Sequence, residues 1–277
     1  MTERSLLYVP AHQPEKLARA LSRGADGLIV DLEDAVPPPA KDAARAAAVE
    51  WLSRADDRAG SRWVRVNPGA AREADVRAVG GLPGLTGIVL AKTEDAAEVA
   101  AVDRLLTSMG SLARISPLLE SAAAVLDARA IATGPRVSRL QVGEADLCAE
   151  LGVRPGADER ELLWVRSQLV LVSAAARLDP PLGPVWTRFR DLDGLRTSSE
   201  ALRRLGYGGR ACIHPGQLSV VREAFISAPE EVHAAKAVLR AFEEAAGGVL
   251  VDADGGMVDE AVVRQARRVL AAAPPTP

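Results

Sequence analysis

The chain is 277 residues long, 48% hydrophobic yet only 3% aromatic, with a formal net charge of −3 and a pI near 5.8. Such a length fits one large α/β domain or two ordinary ones, and a core so poor in aromatics must be built from Ala, Val, Leu and Ile, as in parallel sheets covered by helices. The charge balance shows no basic stripe, which speaks against nucleic-acid binding, and no run approaches the ~20 apolar residues of a membrane span.

From the N-terminus, MTERSLLYVP lacks a basic region followed by a long apolar one, so export is not expected. Apolar runs bounded by turn signals then come at SLLYVP (5–10), GLIVDLE (27–33), RWVRVN (62–67), GIVLAK (87–92), ISPLLE (115–120), RLQVGEADL (139–147), PVWTRF (184–189) and RACIHP (210–215). Between them lie Ala-rich segments with helical spacing, among them PEKLARALSRGA, KDAARAAAVEWLSRA, EDAAEVAAVDRLLTSM, ERELLWVRSQLVLVSAAARL and DGLRTSSEALRRLG. Eight alternations of strand and helix, without a Gly-rich first turn, predict a (β/α)8 TIM barrel in preference to an open doubly wound sheet. The barrel is placed at residues 1–225. Residues 226–277 read as a helical C-terminal lid or arm of the same unit, with a Pro-rich tail expected to fray. Cys148 and Cys212 lie in apolar stretches and read as inert thiols in a reducing cytoplasm.

Barrel active sites sit at the C-terminal ends of the strands. Here those ends carry Asp31, Glu33 and Asp34 on the second run, Arg65 and Asn67 on the third, Lys92 on the fourth, Glu120 on the fifth, Glu144 and Asp146 on the sixth and His214 on the eighth. Any one of them is ordinary where a strand meets solvent, but six of eight ends converging on one mouth point to a site. Glu120 and Asp146 belong to adjacent strands, and two facing carboxylates without a cation repel. A hard divalent ion resolves that conflict. Mg²⁺ takes oxygen ligands, often from only one or two carboxylates, whereas zinc is disfavoured with three histidines and no paired Cys/His spacing. Arg65 offers a planar fork for a substrate carboxylate or a developing oxyanion, the alternative being a structural ion pair with Asp31 or Glu33.

Taken together, RSLLYVPA, DGLIVDLEDAVPPPAKDAAR, VRVN, GIVLAK, SPLLES, VGEADL, GGRACIHPGQ and GGMVDE resemble the HpcH/HpaI aldolase and citrate lyase β-subunit family over nearly the whole chain. The resemblance implies a barrel assembled as a homotrimer or hexamer that uses Mg²⁺ and makes or breaks a carbon–carbon bond beside a thioester. Its partners would be a 2-oxo acid and an acyl-CoA, or a thioester on an acyl carrier protein. By motif, Glu120 and Asp146 would hold the metal, with Glu120 also facing substrate, and Arg65 would bind the substrate's carboxylate or carbonyl end. Glu33 and Asp34 of DLED would hold Arg65, metal-bound water or substrate, and Asp34 or Asp259 of GGMVDE would manage the proton. The position of Asp259 matches an aspartate that, in CoA-dependent relatives, reaches over a neighbouring subunit's site; an N-cap for the helix after it is the competing reading.

The chain departs from the family pattern at Ala11, at His12 and at Gly183, where many relatives carry an acid, so substrate identity is where it would differ. His12 and His214 would share a rim if the barrel closes, His214 more simply as a packed histidine. The expected activity is a Mg²⁺-dependent citryl- or malyl-type lyase. Its rivals are a Schiff-base aldolase using Lys92, the only lysine at a strand end, a free-acid aldolase, and a subunit that works only with an acyl carrier protein.

Overall fold

The computed structural model describes residues 3–54, 60–244, 250–251 and 256–273, and residues 274–277 of the Pro-rich tail lie outside them. The chain divides into two compact units, residues 3–222 and 223–277.

In the first unit eight parallel strands close in sequence order: β1 (Ser5–Pro10), β2 (Gly27–Asp31), β3 (Ser61–Val66), β4 (Gly87–Leu90), β5 (Arg114–Leu119), β6 (Gln141–Val142), β7 (Leu182–Gly183) and β8 (Gly209–Cys212). β8 pairs back onto β1 with Ser5 opposite Arg210, so the expected (β/α)8 barrel is what forms. The connections carry α1 (Pro14–Ala20), α2 (Lys41–Ser53), α3 (Ala70–Val79), α4 (Ala96–Ser108), α5 (Ala122–Leu126), α6 (Ala128–Ala132), α7 (Glu144–Leu151), α8 (Leu163–Ala175) and α9 (Leu192–Leu205). α10 (Leu218–Phe225) then carries the chain into the second unit. β2 is buried along its whole length, as a strand with one face on the barrel interior and the other under helices must be.

One layer of the interior is filled by Leu6, Ile29, Trp63, Val89, Leu118, Leu182 and Ala211, one residue from each of seven strands. Trp63 takes so much of that space that Gly87 opposite it has no room for a Cβ. Because side chains alternate along a strand, residues two further on also point inward, and these are Tyr8, Asp31, Arg65 and Glu120. The apolar layer is thus the floor on which the polar mouth stands.

Two of the sequence-read runs are placed differently by the structure. PVWTRF is not the seventh strand: β7 is the preceding Leu182–Gly183, pairing with Gln141 on one side and Gly209 and Arg210 on the other. Pro184 has no N–H to continue the ladder, and the run is apolar because Val185 packs against the interior layer and Trp186 lies buried. The sixth run is strand only at Gln141–Val142, after which Glu144 and Asp146 occupy the first turn of α7.

The second unit is a packed pair of helices, α11 (Pro229–Glu244) and α12 (Glu260–Ala271), with an antiparallel pair β9 (Leu250–Val251) and β10 (Met257–Val258). Within it the Ser227 N–H donates to the carbonyl of Ala272 at 3.1 Å and the Ser227 hydroxyl to that of Val269 at 2.9 Å.

Candidate active site

The barrel mouth opens into a cavity of about 660 Å³, within the range of small-ligand sites. Its lining includes Tyr8, Asp31, Asp34, Arg65, Glu120, Gln141, Asp146, Trp186 and Arg210.

Asp31 and Arg65 stand directly opposite in the β2–β3 ladder, so the register that builds the barrel also makes the ion pair. Arg65 Nε donates to Asp31 Oδ1 at 2.7 Å and Nη2 to Oδ2 at 2.6 Å, while Nη1 reaches Glu33 Oε2 at 2.9 Å. Its guanidinium also lies 4.9 Å from the centre of the Tyr8 ring. Burial works against this charge, but the hydrogen bond to Asp31 and the surrounding acids hold its pKa above the usual arginine range. Two guanidinium N–H groups are hydrogen-bonded to Asp31 and Nη1 is paired in charge with Glu33, so the fork keeps N–H capacity for a substrate. Burial likewise lifts the Tyr8 phenol well above its ordinary pKa, so it stays neutral.

Past Asp31 the chain turns sharply. The Asp31 carboxylate accepts the N–H of Glu33 at 2.9 Å and of Ala35 at 3.3 Å, folding the LEDA segment over the end of β2. Lys41, at the start of α2, clamps the same segment: its ammonium donates to the carbonyls of Leu32 and Glu33 at 2.7 Å and to Asn67 Oδ1 at 2.6 Å. Asn67 is in turn held by Asp75 through its backbone N–H at 2.9 Å and its amide at 2.7 Å.

Glu120 is nearly buried, and its Oε2 accepts the Lys92 N–H at 2.7 Å. Burial, reinforced by the charges of Glu33 and Asp146, pushes its carboxyl up to about 7. Gly143 leaves the space Glu120 occupies, since a Cβ there would come within 2.5 Å of its Cγ and Oε1. Lys92 sits in the left-handed region at φ 48°, and its ammonium lies 3.0 Å from Glu33, 3.5 Å from Asp34 and 3.8 Å from Asp146. Burial pulls against the ammonium, but the Glu33 hydrogen bond and these acids hold it above the usual lysine range. That surrounding opposes the neutral amine a Schiff-base nucleophile needs.

The wall between β6 and β8 is built otherwise. Arg166 of α8 holds Glu144 in a two-point bond, at 2.6 and 2.7 Å, and Glu159 at 3.0 Å. Glu159 also accepts from Ser198 at 2.6 Å. Arg210 on β8 donates to the Pro184 carbonyl at 2.8 Å and to Ser198 and Ser199 at 2.9 and 3.2 Å. Burial brings its pKa down to about 10.

A profile of the HpcH/HpaI aldolase/citrate lyase family matches residues 4–215. The chain belongs to that family. It is 35% identical to a (3S)-malyl-CoA thioesterase of Cereibacter sphaeroides over 98% of this chain and 94% of the relative. With a citrate lyase subunit beta-like protein of Deinococcus radiodurans it shares 33% identity over 96% of each. Its fold superposes with a TM-score of 0.84, at 30% identity and 98% coverage of both chains, on the Mycobacterium tuberculosis protein CitE in complex with magnesium, acetoacetate and coenzyme A.

Of the residues singled out by sequence, Asp34, Arg65, Glu120 and Asp146 line one cavity, and Glu33 joins them through Arg65 and Lys92. Asp259 lies in the second unit as the N-cap of α12, its Oδ1 accepting the N–H groups of Ala261 and Val262 at 2.8 and 3.0 Å. His214 accepts the Gly216 N–H at 3.1 Å and lies 5.4 Å from the Phe189 ring; neither it nor His12 is in the cavity lining. Sequence reasoning missed Tyr8, Lys41, Gln141, Arg166 and Arg210. The inward parity of Tyr8 was available in SLLYVP, but nothing local marks Arg166 or Arg210 as neighbours of the mouth. Cys212 is buried, which pushes its thiol up to about 12, and Cys148 lines the cavity with its thiol raised by burial and by Glu144. Among the described residues no helix is long and apolar enough to cross a membrane.

Proposed function

We propose that this chain is a Mg²⁺-dependent carbon–carbon lyase that cleaves or forms a citryl- or malyl-type acyl thioester, giving a 2-oxo acid and an acyl thioester. The observation that carries the reading is Glu120: a nearly buried carboxylate with its pKa raised to about 7, facing further acids across a mouth where Arg65 is already committed. The relatives include a citramalyl-CoA lyase, which supports carbon–carbon chemistry, a malyl-CoA thioesterase, which supports a CoA ester as substrate, and a magnesium- and CoA-bound CitE, which supports the metal.

The donor set fits the ion. Glu120 and Asp146 both line the mouth and offer oxygen only, and Mg²⁺ held by one or two carboxylates leaves its other positions to water and substrate. When bound, the ion supplies Lewis-acid polarisation of the 2-oxo acid end. Arg65 directs its remaining N–H groups at the substrate's carboxylate or at the oxygen of the breaking bond, and the Asp31–Glu33 brace fixes the fork before substrate arrives. Asp34, its side chain 60% exposed at the rim, can pass a proton to solvent. Asp259 is the other candidate for that task, presented to the site from a neighbouring copy in a trimeric or hexameric assembly. The acyl group rides on CoA or on an acyl carrier protein, in a cytoplasmic setting.

The test is turnover of malyl-CoA and citramalyl-CoA by the purified protein, tracking 2-oxo acid with phenylhydrazine and free thiol with a disulfide reagent. Mg²⁺-dependent 2-oxo acid release, abolished by EDTA and in Glu120→Ala and Asp146→Ala, is expected. Thiol release without 2-oxo acid would assign thioester hydrolysis instead, and activity that survives EDTA but is trapped by borohydride would return the assignment to Lys92.

A further inference from the structure

Lys92 touches both acids assigned to the metal, through its backbone to Glu120 at 2.7 Å and through its ammonium to Asp146 at 3.8 Å. It does so from a left-handed backbone conformation, φ 48°, that a residue with a Cβ adopts at a cost and keeps only where its surroundings fix it. The same ammonium bonds Glu33 at 3.0 Å and approaches Asp34 at 3.5 Å, so it is placed among three carboxylates. Five acids, Asp31, Glu33, Asp34, Glu120 and Asp146, gather here about two cationic side chains, Arg65 and Lys92.

We infer that Lys92 is a built-in counter-charge that weakens the grip of this site on its divalent ion, sharing Asp146 with the ion and keeping metal exchange possible. This deepens the metal reading and rests on it. An ammonium within reach of the ligand set repels a second cation and draws on the same oxygens. Of the two contacts, only the one to Glu120 comes from the backbone and survives loss of the side chain. Lys92 is therefore a tuning residue, acting on metal affinity through charge, and separable from the role of its own peptide group.

The distinguishing measurement is calorimetric titration of the full-length protein with Mg²⁺, repeated with Mn²⁺ by electron paramagnetic resonance. Lys92→Met removes the charge and keeps the bulk; Lys92→Gly removes the charge, suits the positive φ and retains the N–H to Glu120. Both should bind either ion on the order of tenfold tighter than wild type, since unit charges ~4 Å apart interact appreciably even where water screens them. Their thermal midpoints should also rise more on adding Mg²⁺ than the wild type's does. Equal or weaker binding in both neutral variants, beside a wild type that binds, would overturn the inference while leaving the metal reading standing. A wild-type protein that binds neither ion would remove the metal reading and the inference with it.

Discussion

Around the mouth of the barrel, the wall from β2 to β5 and the wall from β6 to β8 both hold charged groups still, by different means. On the first, strands of four to six residues run far enough for the ladder itself to aim side chains: Asp31 faces Arg65 because the register puts them opposite. On the second, β6 and β7 are two residues each, too short to aim anything, and the wall is made by the start of α7 and the loop after β7. There the buried bonds of Arg166 to Glu144 and Glu159, and of Arg210 to Ser198 and Ser199, replace the ladder. The proposed site draws Arg65, Glu33, Asp34 and Glu120 from the side whose geometry is set by strand pairing and Asp146 from the other, whose arginines hold its shape.

Substitutions of the mouth residues on the first wall, and of Asp146, should cost activity before stability, and substitutions of the arginines that brace the second wall should cost stability before activity. Arg65→Lys keeps the charge but loses the fork, and kcat/KM should fall by ~100-fold or more while the urea midpoint barely moves. Arg166→Ala strands two nearly buried carboxylates, and a urea titration should show a loss on the order of 3–5 kcal/mol, with Arg166→Met recovering part of it if the acids are replaced as well. A folded, fully stable Arg166→Ala protein would break the comparison.

A pH series sharpens it from the other side. Glu120 is raised from 4.5 to about 7 in the folded chain, so the native state holds this proton more tightly than the unfolded one. The resulting stability is present below the unfolded value and lost as pH rises through the folded one, on the order of 3 kcal/mol in all. In EDTA the thermal midpoint should therefore fall between pH 5 and pH 8, and Glu120→Gln should flatten that slope. Lys41→Met uncaps two carbonyls and Asn67, and should cost about 1–3 kcal/mol in the same titration with a fall in kcat that Lys41→Arg partly restores. Smallest in stability is Asp259→Asn, since Asn caps a helix about as well as Asp and the change should stay within a few tenths of a kcal/mol. A large drop in kcat in that variant would assign Asp259 the proton.

Legibility in the sequence ran along the same divide. The runs ending in DLED, VRVN, LAK and LLE are legible because a short apolar run bounded by a turn signal marks both the strand and the polar side chain that leaves it at the mouth. PVWTRF was misleading: its apolar residues serve the cavity and the interior layer rather than a strand, and Pro184 ends a pairing that had begun two residues earlier. Asp146 reads as the end of a strand but sits on the first turn of a helix, a distinction that so short an apolar run does not carry.

Seven of the eight apolar runs hold a strand, and these, with the amphipathic segments between them, specify the barrel and gather acids and one arginine at its mouth. Those are local properties, fixed by side-chain period and by where an apolar run stops. Partners, by contrast, are settled in three dimensions: Arg65 is braced by two acids, Lys92 bridges the two proposed metal ligands, and Arg166, a residue of α8, holds the start of α7. Closure of the sheet brings together groups far apart in the chain, and a charge finds its partner by distance in space, which no period along the chain encodes.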